Sequence, residues 1–417
     1  MNRTGQDGER FLGAVDAVVR AQMCSGCGLC AAMDPRLRMR EVNGFQRPVR
    51  VTDEPLPPAR DRELARQFHA ACPGVQVRAQ RPAGSHRDAT LGPVQGLWAA
   101  HATDPATRFR GSSGGVLTAL NTFLLAEGEA TSVLGARADA ADPRRTVPVT
   151  IMSREQALQA AGSRYGPTAT LSAQAAPLRA DQAVTGKPCE ASALRAHARA
   201  AGTDAPVILS FFCAGTPQQG ATDALVEELG LPEGAPLEDL WYRGRGWPGE
   251  FTAVARDGRR VRTGYSASWG AALGPTVQWR CRVCADGVGE SADISAGDYW
   301  ELDAQGDPDF AERPGRSVLV ARTARGRDIV LRAAAAGVIA LEPVSARSAV
   351  ARQPYQSARR RLLLGRLLGT RLLVGRVPSY RGFGLLGSAL RAPRATWREL
   401  RGTITRIRDR RRRGFRS

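Results

Sequence analysis

Lysine is almost absent from this chain of 417 residues, because only one of its 59 basic residues, Lys187, is a lysine. A lysine that persists in so arginine-rich a sequence indicates a position that requires an ammonium group, with a chance survivor as the alternative. The sequence also lacks any run of eighteen apolar residues and any basic start followed by a short apolar stretch. We therefore expect neither a membrane-spanning helix nor a signal peptide, and we expect a cytoplasmic protein.

Eight cysteines are present in this chain. Cytoplasmic thiols are kept reduced, so cysteines in Cys-x-x-Cys spacings indicate metal or redox sites in preference to disulfides. The length allows two or three domains with a large buried core, and therefore an enzyme.

The net charge of +19 is concentrated at one end of the sequence. Residues 352–417 contain 19 arginines and two acidic residues, so the first 351 residues are nearly neutral. A basic tail without a recognition module does not predict nucleic-acid binding, and we expect no nucleic-acid partner.

Composition divides the chain into three units. Residues 1–80 are rich in cysteine, arginine and proline and show little periodicity, so we expect a bound metal and not a hydrophobic core to shape them. Residues 90–350 alternate helical patterns (Val116 to Leu124) with apolar runs (Pro206 to Phe212), which predicts an α/β to mixed α+β core. Residues 353–417 form the third unit, the basic tail.

The tail contains one amphipathic pattern. The sequence from Thr396 to Glu399 fits a capping box, and Trp397, Leu400, Ile404 and Ile407 then recur at helical spacing. Arginines on the opposite face suit the headgroup layer of an anionic membrane, which predicts a peripheral membrane contact. A solvated basic tail or a helix docked on an acidic partner is the alternative.

The first cysteine set lies near the start of the chain. Cys24, Cys27 and Cys30 follow the spacing of a ferredoxin-like iron–sulfur segment, whereas zinc sites use separated pairs. The fourth ferredoxin position is occupied by Asp34. Cys72 is the predicted fourth ligand, since it repeats the Cys-Pro pairing, and Asp34 is the alternative.

The remaining cysteines are Cys189, Cys213, Cys281 and Cys284. Cys189 and Cys213 lie at the ends of a predicted helix and strand, where α/β proteins build sites. Four thiolates suit a second cluster, and a zinc site or inert buried thiols are the alternatives.

Taken together, these motifs resemble the beta subunit family of coenzyme F420 (deazaflavin) hydrogenases and dehydrogenases. The resemblance spans roughly residues 20–300 and leaves out the tail. The matching segments are Cys24 to Cys30, Phe109 to Gly115, Gly162 to Tyr165, Gly186 to Cys189, Phe212 to Gly215, and Cys281 to Asp298.

The resemblance implies one noncovalent FAD and two 4Fe4S clusters that exchange electrons with it. Lys187 would lie between Cys189 and the flavin, as a catalytic residue that stabilises reduced flavin or an anionic substrate. A Ser/Gly-rich turn that opens a helix can approach a phosphate or the flavin ring closely, although such a turn is often only a helix cap. In the second flavin motif, Arg164 would pair with phosphate and Tyr165 would stack on a ring, with an ordinary turn as the alternative. The residues implied to lie near the flavin are Ser112, Ser113, Gly114, Gly115, Gly162, Ser163, Arg164, Tyr165 and Lys187.

The expected function is that of an FAD-dependent iron–sulfur oxidoreductase. Its redox partner would be a ferredoxin or the deazaflavin coenzyme, and it would also bind a small-molecule substrate. Relatives of the resembled family act on chlorophyll-type pigments or in cell-surface polysaccharide synthesis, and the basic tail favours the latter. The alternatives are a non-catalytic electron-transfer subunit and a zinc-stabilised interaction protein.

Overall fold

The structure is a computed structural model that describes residues 10–173 and 178–412. The strands are β1 (Leu37–Val42), β2 (Phe45–Arg50), β3 (Gln76–Arg78), β4 (His86–Asp88), β5 (Gly92–Val94), β6 (Gly96–Ala102), β7 (Ser132–Ala138), β8 (Thr146–Ile151), β9 (Gln182–Gly186), β10 (Val207–Phe211), β11 (Leu237–Trp241), β12 (Phe251–Ala255), β13 (Arg260–Thr263), β14 (Ile294–Asp298), β15 (Glu301–Leu302), β16 (Pro308–Asp309), β17 (Ser317–Ala321), β18 (Ile339–Pro343) and β19 (Ser379–Arg381). The α-helices are α1 (Arg10–Arg20), α2 (Leu29–Met33), α3 (Pro58–Ala71), α4 (Pro105–Arg110), α5 (Val116–Ala126), α6 (Arg154–Gln159), α7 (Pro188–Ala201), α8 (Gln219–Glu228), α9 (Trp279–Arg282), α10 (Ala324–Ala335), α11 (Ala346–Ala351), α12 (Pro354–Val374), α13 (Leu385–Arg391) and α14 (Pro393–Arg412). Two 3-10 turns, Thr170–Ala173 and Gly274–Thr276, and one π-helix, Ser266–Leu273, complete the helical elements described.

A mixed sheet of eight strands organises the molecule, in the order β18-β6-β17-β14-β10-β9-β7-β8. The strands β7, β9, β10 and β14 run parallel to one another, and antiparallel strands extend the sheet on both sides. The expectation of an α/β to mixed α+β fold is therefore confirmed. The four parallel strands end at the same edge, which is where open α/β sheets place their binding sites.

Helices cover both faces of this sheet. In β10, Ile208 packs into a core with α1, α3, α7 and the C-terminal helices, whereas Val207 and Leu209 pack into a second core with α5 and α10. A strand that is buried on both faces needs a continuous apolar sequence, and this is what the run from Pro206 to Phe212 predicts.

The N-terminal segment differs from the expectation because it packs into a hydrophobic core. Phe11 and Phe68 meet edge to face, with ring centroids 5.7 Å apart, at the contact between α1 and α3. The same core includes Cys27 and Cys30 and extends into the central sheet. The expectation that a bound metal alone would shape this segment was wrong, because the apolar periodicity of α1 supplies a buried face.

The C-terminal segment is packed into the body of the protein. Leu363 of α12 and Ile407 of α14 belong to the core that contains the first cysteines, and β19 pairs in parallel with β3. Gly365 and Gly369 of α12 lie against the backbone of α14. Because α12 packs on the core with one face and on α14 with another, its sequence has no single apolar face. The described part of the predicted tail is thus an integral part of the fold.

Two details of α14 correct the sequence interpretation. The helix starts at Pro393, three residues before the predicted cap, and the hydroxyl of Thr396 donates to the carbonyl of Ala392 at 3.0 Å. Ile407 is buried in the core, whereas Trp397 is 61% exposed. Across residues 10–173 and 178–412, the structure contains no helix with both the length and the apolar character needed to cross a membrane.

Candidate functional site

A cavity of about 570 Å³ lies at the carboxyl edge of the parallel strands. Its wall includes Lys187 after β9, Cys213 after β10 and Asp298 at the end of β14. Three chain segments that are distant in sequence meet here because parallel strands end together. The volume is typical of a site for a small molecule or cofactor.

The Ser/Gly-rich motif forms one wall of this cavity at the start of α5. Gly115 has φ = 72°, and a Cβ at this position would lie 2.6 Å from the carbonyl of Thr107, so only glycine fits. Ser112, Ser113 and Gly115 line the cavity. Gly114 lies behind them, where its amide donates to the hydroxyl of Ser317 at 2.9 Å and fixes the loop to β17.

The second motif, Gly162 to Tyr165, lies beside the first. Its Ser163 hydroxyl donates to the hydroxyl of Ser112 at 2.8 Å, and all four residues of the motif line the cavity. The structure therefore brings the two implied flavin motifs together. Tyr165 stands against Trp269, with ring centroids 4.7 Å apart.

Arg164 is engaged by the fold itself. Its guanidinium donates to the carbonyls of Leu240 (2.6 Å), Pro143 (2.7 Å) and Arg145 (2.9 Å), and to the hydroxyl of Thr146 (3.2 Å). These bonds fix the loop between β7 and β8 and leave little capacity for a phosphate. The implied phosphate role of Arg164 has no support in this geometry.

Lys187 is buried at the N-terminus of α7. Its ammonium group donates to the carbonyl of Thr168 at 2.8 Å and lies 2.7 Å from the carboxylate of Glu190. Burial alone would lower the pKa of Lys187, but the Glu190 carboxylate outweighs it, so the pKa is raised and the lysine is charged. Sequence reasoning missed Glu190, whose position three residues after Lys187 is the spacing of a capping box.

An aromatic wall faces the two glycine-rich motifs across the cavity, and sequence reasoning missed most of it. Arg243 holds Asp298 through two hydrogen bonds of 2.9 Å, and Trp247 donates to the same carboxylate at 3.0 Å. The guanidinium of Arg243 lies over the rings of Tyr265 and Trp300. Asp298 is thus a hydrogen-bonding residue, and no local sequence pattern joins it to Arg243.

The first cysteine set surrounds a separate small cavity of about 20 Å³ beneath the N-terminal helices. Cys24, Cys27, Cys30 and Cys72 all line it. The amide of residue 26 donates to the sulfur of Cys24 at 3.4 Å, as the curled loop predicts. Burial, followed by the neighbouring thiolates, raises the pKa of Cys30.

The two alternatives for the fourth position of this set are placed differently. The carboxylate of Asp34 is buried in an ion pair with Arg36, whose Nη2 lies 2.7 Å from it. Cys72 follows α3 and shares the small cavity with the other thiols. The structure thus gathers four cysteines and gives Asp34 another partner.

The second cysteine set lies between the large cavity and the C-terminal helices. The amide of Cys213 donates to the carbonyl of Gly287 at 2.8 Å, which joins the loop after β10 to the loop that follows α9. Cys281 lies in α9 and Cys284 in the loop that follows it. Burial, and then the charges of these two cysteines, raise the pKa of Cys213 to about 12. Cys189, in the first turn of α7, is close enough to interact electrostatically with Cys213 and also with Cys27 of the first set.

No three histidine, cysteine or carboxylate side chains converge tightly enough to hold one metal ion in the part of the chain that the structure describes. A four-iron cluster needs a wider arrangement, because irons and sulfides separate its thiolate ligands. The donor sets here are compatible in type with such clusters, since each consists of four thiols.

Comparison with known proteins identifies the class to which this fold and site belong. Residues 97–175 match the family model described as the N-terminal part of the coenzyme F420 hydrogenase/dehydrogenase beta subunit, and residues 180–347 match that of its C terminus. The two matches together cover more than half of the chain, which therefore belongs to this family. The resemblance stated from the sequence is confirmed, and the family is one of oxidoreductase subunits that carry iron–sulfur clusters.

Among solved structures, a chain of the F420-reducing NiFe hydrogenase complex from Methanosarcina barkeri is similar. The two chains share 24% identity with a TM-score of 0.49, over 67% of this chain and 96% of the other. The comparison with curated proteins gave no match. The first cysteine set and the C-terminal helices lie outside the residues that the family models match.

Proposed function

We propose that this protein is an FAD-dependent iron–sulfur oxidoreductase in which two 4Fe4S clusters exchange electrons with a flavin at the large cavity. The observation that carries the proposal is the position of Cys213, which belongs to the second cysteine set and also lines the cavity. A flavin in the cavity would therefore lie against a cluster held by that set. Bound FAD would supply the conversion between single-electron and two-electron steps.

The cavity fits a flavin by its polar lining as well as its size. The hydroxyl of Thr168 and the amide oxygen of Gln356 are buried in its wall without hydrogen-bond partners. Buried polar groups are rarely left unpaired, so these two atoms indicate a ligand that is part of the working protein. The start of α5 adds a helix N-terminus, which favours a phosphate group.

Lys187 is the proposed catalytic residue, and its role is electrostatic. Its charged ammonium group forms part of the cavity wall, where it favours negative charge on a neighbouring ligand. Glu190 holds the ammonium in place and moderates its charge. The geometry assigns no proton donor.

The two cysteine sets lie in series with the cavity. Cys27 of the first set and Cys189 of the second influence each other electrostatically, and Cys189 likewise interacts with Cys213. Electrons delivered to the first set by a ferredoxin, or by the deazaflavin coenzyme, would thus have a short route to the cavity. A small-molecule substrate would bind there against the aromatic wall.

The composition of the anaerobically purified protein tests this function. We expect about eight irons and about one FAD per chain, from two four-iron clusters and one cavity. Reduction of a soluble acceptor by the purified chain would distinguish an enzyme from an electron-transfer subunit. Protein that retained iron but no flavin would contradict the proposed catalytic role, and zinc in place of iron would contradict both clusters.

We further propose that the C-terminal helices contact an anionic membrane surface from the cytoplasm, as suits an oxidoreductase of cell-surface polysaccharide synthesis. Leu368, Leu372, Leu386, Leu390 and Trp397 are all exposed on α12, α13 and α14, among arginines. Apolar side chains between basic ones match the interface of an anionic bilayer.

Sedimentation with lipid vesicles tests this contact. Binding to phosphatidylglycerol vesicles should exceed binding to phosphatidylcholine vesicles, and the Leu386→Ser/Leu390→Ser variant should bind less. Leu331→Ser, which alters an exposed leucine on α10, is the matched control. Equal binding to both lipids, or an equal loss in both variants, would refute the membrane contact.

A further inference from the structure

We infer that Arg359, on the C-terminal helix α12, raises the reduction potential of the second cysteine set's cluster above that of the first, so that electrons run from the first set towards the cavity. This inference rests on the proposed clusters. It adds an electrostatic role for a residue that lies outside both matched family regions.

Arg359 reaches the second set from helix α12. Its Nη2 donates to the carbonyl of Ala214 at 2.7 Å, immediately after Cys213. A Cβ on Gly287 would lie 3.0 Å from its Nη1, which places the guanidinium between the two loops that carry this set. The side chains of Cys213 and Cys284 are among its main electrostatic partners.

The charge of Arg359 is buried and is not cancelled by its own hydrogen-bond partners. The residue is 3% exposed, and its acceptors are neutral oxygens, namely the Ala214 carbonyl and the Tyr355 hydroxyl at 3.1 Å. The neighbouring cations differ because each is paired with a carboxylate. Lys187 is paired with Glu190, and Arg360 is paired with Glu290.

Burial strengthens the effect of this charge on a neighbouring cluster. A cluster becomes more negative when it is reduced, and a fixed cation nearby favours the reduced form more strongly where solvent screening is weak. Cluster potentials depend on net charge and on such surroundings. Arg359 should therefore raise the potential of the second cluster.

The first set has a more negative environment. Within the part of the chain that the structure describes, no cation is among the main electrostatic partners of Cys27, Cys30 or Cys72. In the second set, Lys187 acts on Cys189 and Arg359 acts on Cys213. Arg36, the cation near Asp34, is neutralised by that carboxylate. Arg280 donates to the carbonyl of Pro73, next to Cys72, but the thiols on which its charge acts are Cys189 and Cys284, so it also favours the second set.

Potentiometric titration followed by electron paramagnetic resonance tests the inference on the whole anaerobic protein. The wild type should show two clusters with separate midpoint potentials. In Cys72→Ala, which disrupts the first set, the signal of higher potential should remain. A remaining signal at the lower potential would overturn the proposed order.

Substitution of Arg359 then isolates its contribution. In Arg359→Gln the higher potential should fall and the lower one should stay constant, whereas Arg359→Lys should retain most of the wild-type value. Arg361→Gln, which removes an exposed arginine from the same helix, should change neither potential. An Arg359→Gln protein with full iron content and unchanged potentials would overturn the inference while leaving the proposed function intact. A wild type without a cluster at the second set would overturn both.

Discussion

The carboxylate of Glu190 lies 2.7 Å from the ammonium group of Lys187, and both side chains are buried at the start of α7. Glu190 also accepts the amide of Lys187 at 2.8 Å and that of Thr170 at 3.3 Å. The pair thus connects the cavity wall to the 3-10 turn Thr170–Ala173. This turn packs on the first cysteine loop, where the amide of Leu171 donates to the carbonyl of Cys27.

Removal of one partner of this pair should be more harmful than removal of both. Lys187→Met leaves a buried carboxylate without its cation, and we expect the free energy of unfolding to fall by about 3–5 kcal/mol. The double variant Lys187→Met/Glu190→Gln should lose less, because no uncompensated charge remains. Urea unfolding of the anaerobic proteins measures both, and additive losses would show that the pair is not coupled.

The fourth position of the first cysteine set can be tested by iron content. Under the proposed function, Cys72→Ala should lose about half of the iron, since one of the two proposed four-iron clusters would depend on it. Asp34→Asn should retain its iron, because the carboxylate belongs to the ion pair with Arg36. If Asp34→Asn lost a cluster and Cys72→Ala kept both, Asp34 would be the ligand.

The cavity wall at Gly115 can be tested with a closely matched control. Gly115 and Gly128 have φ angles of 72° and 69°, but a Cβ meets the carbonyl of Thr107 only at Gly115 and has open space at Gly128. Gly115→Ala should therefore displace the loop and lower the ratio of bound FAD to iron, whereas Gly128→Ala should have only the cost of backbone strain. Equal FAD content in the two variants would place the flavin elsewhere.

Acid should weaken a buried ion cluster around Glu290. Its carboxylate lies 2.8 Å from Arg87 and is also paired with Arg360. Burial raises its pKa, but Arg360 and then Arg87 outweigh burial, so the pKa lies below its usual value of 4.5. A lowered pKa in the folded state gives stability that is present above pH 4.5 and is lost as the pH falls through the folded value.

The measurement compares the midpoint temperature of wild type and Glu290→Gln from about pH 7 to about pH 2, so that the range extends well below the usual carboxyl pKa of 4.5. The wild type should be more stable near neutrality, and the difference should narrow towards the acid end. Glu233→Gln, an exposed carboxylate, is the control and should show no such trend. A difference that stayed constant over this range would mean that Glu290 does not contribute through its charge.

The sequence predicts the local features of this protein well. Helix α5 follows from helical apolar spacing and strand β10 from a continuous apolar run, and the grouping of the first three cysteines follows from their spacing. The family follows from several short motifs in order. Each of these signals lies within about fifteen residues. Over that length, the regular geometry of a helix or strand decides which side chains share a face.

Features that depend on distant residues could not be predicted in this way. The pairing of Arg243 with Asp298 spans 55 residues, and the acceptors of Arg164 come from several separate loops. The position of the C-terminal helices was misjudged for the same reason. A helix with two packing faces, such as α12, lacks the single apolar stripe by which a buried helix is recognised.

The shared core of α1, α3 and α14 affects how this protein folds during its synthesis on the ribosome. Ile407 packs in the same core as Cys27 and Cys30, so the two ends of the chain complete one hydrophobic unit. Contacts of such long sequence separation form late, because the whole intervening chain must first be made. The first cysteines therefore leave the ribosome long before their final surroundings exist, so these thiols stay accessible to solvent for much of synthesis.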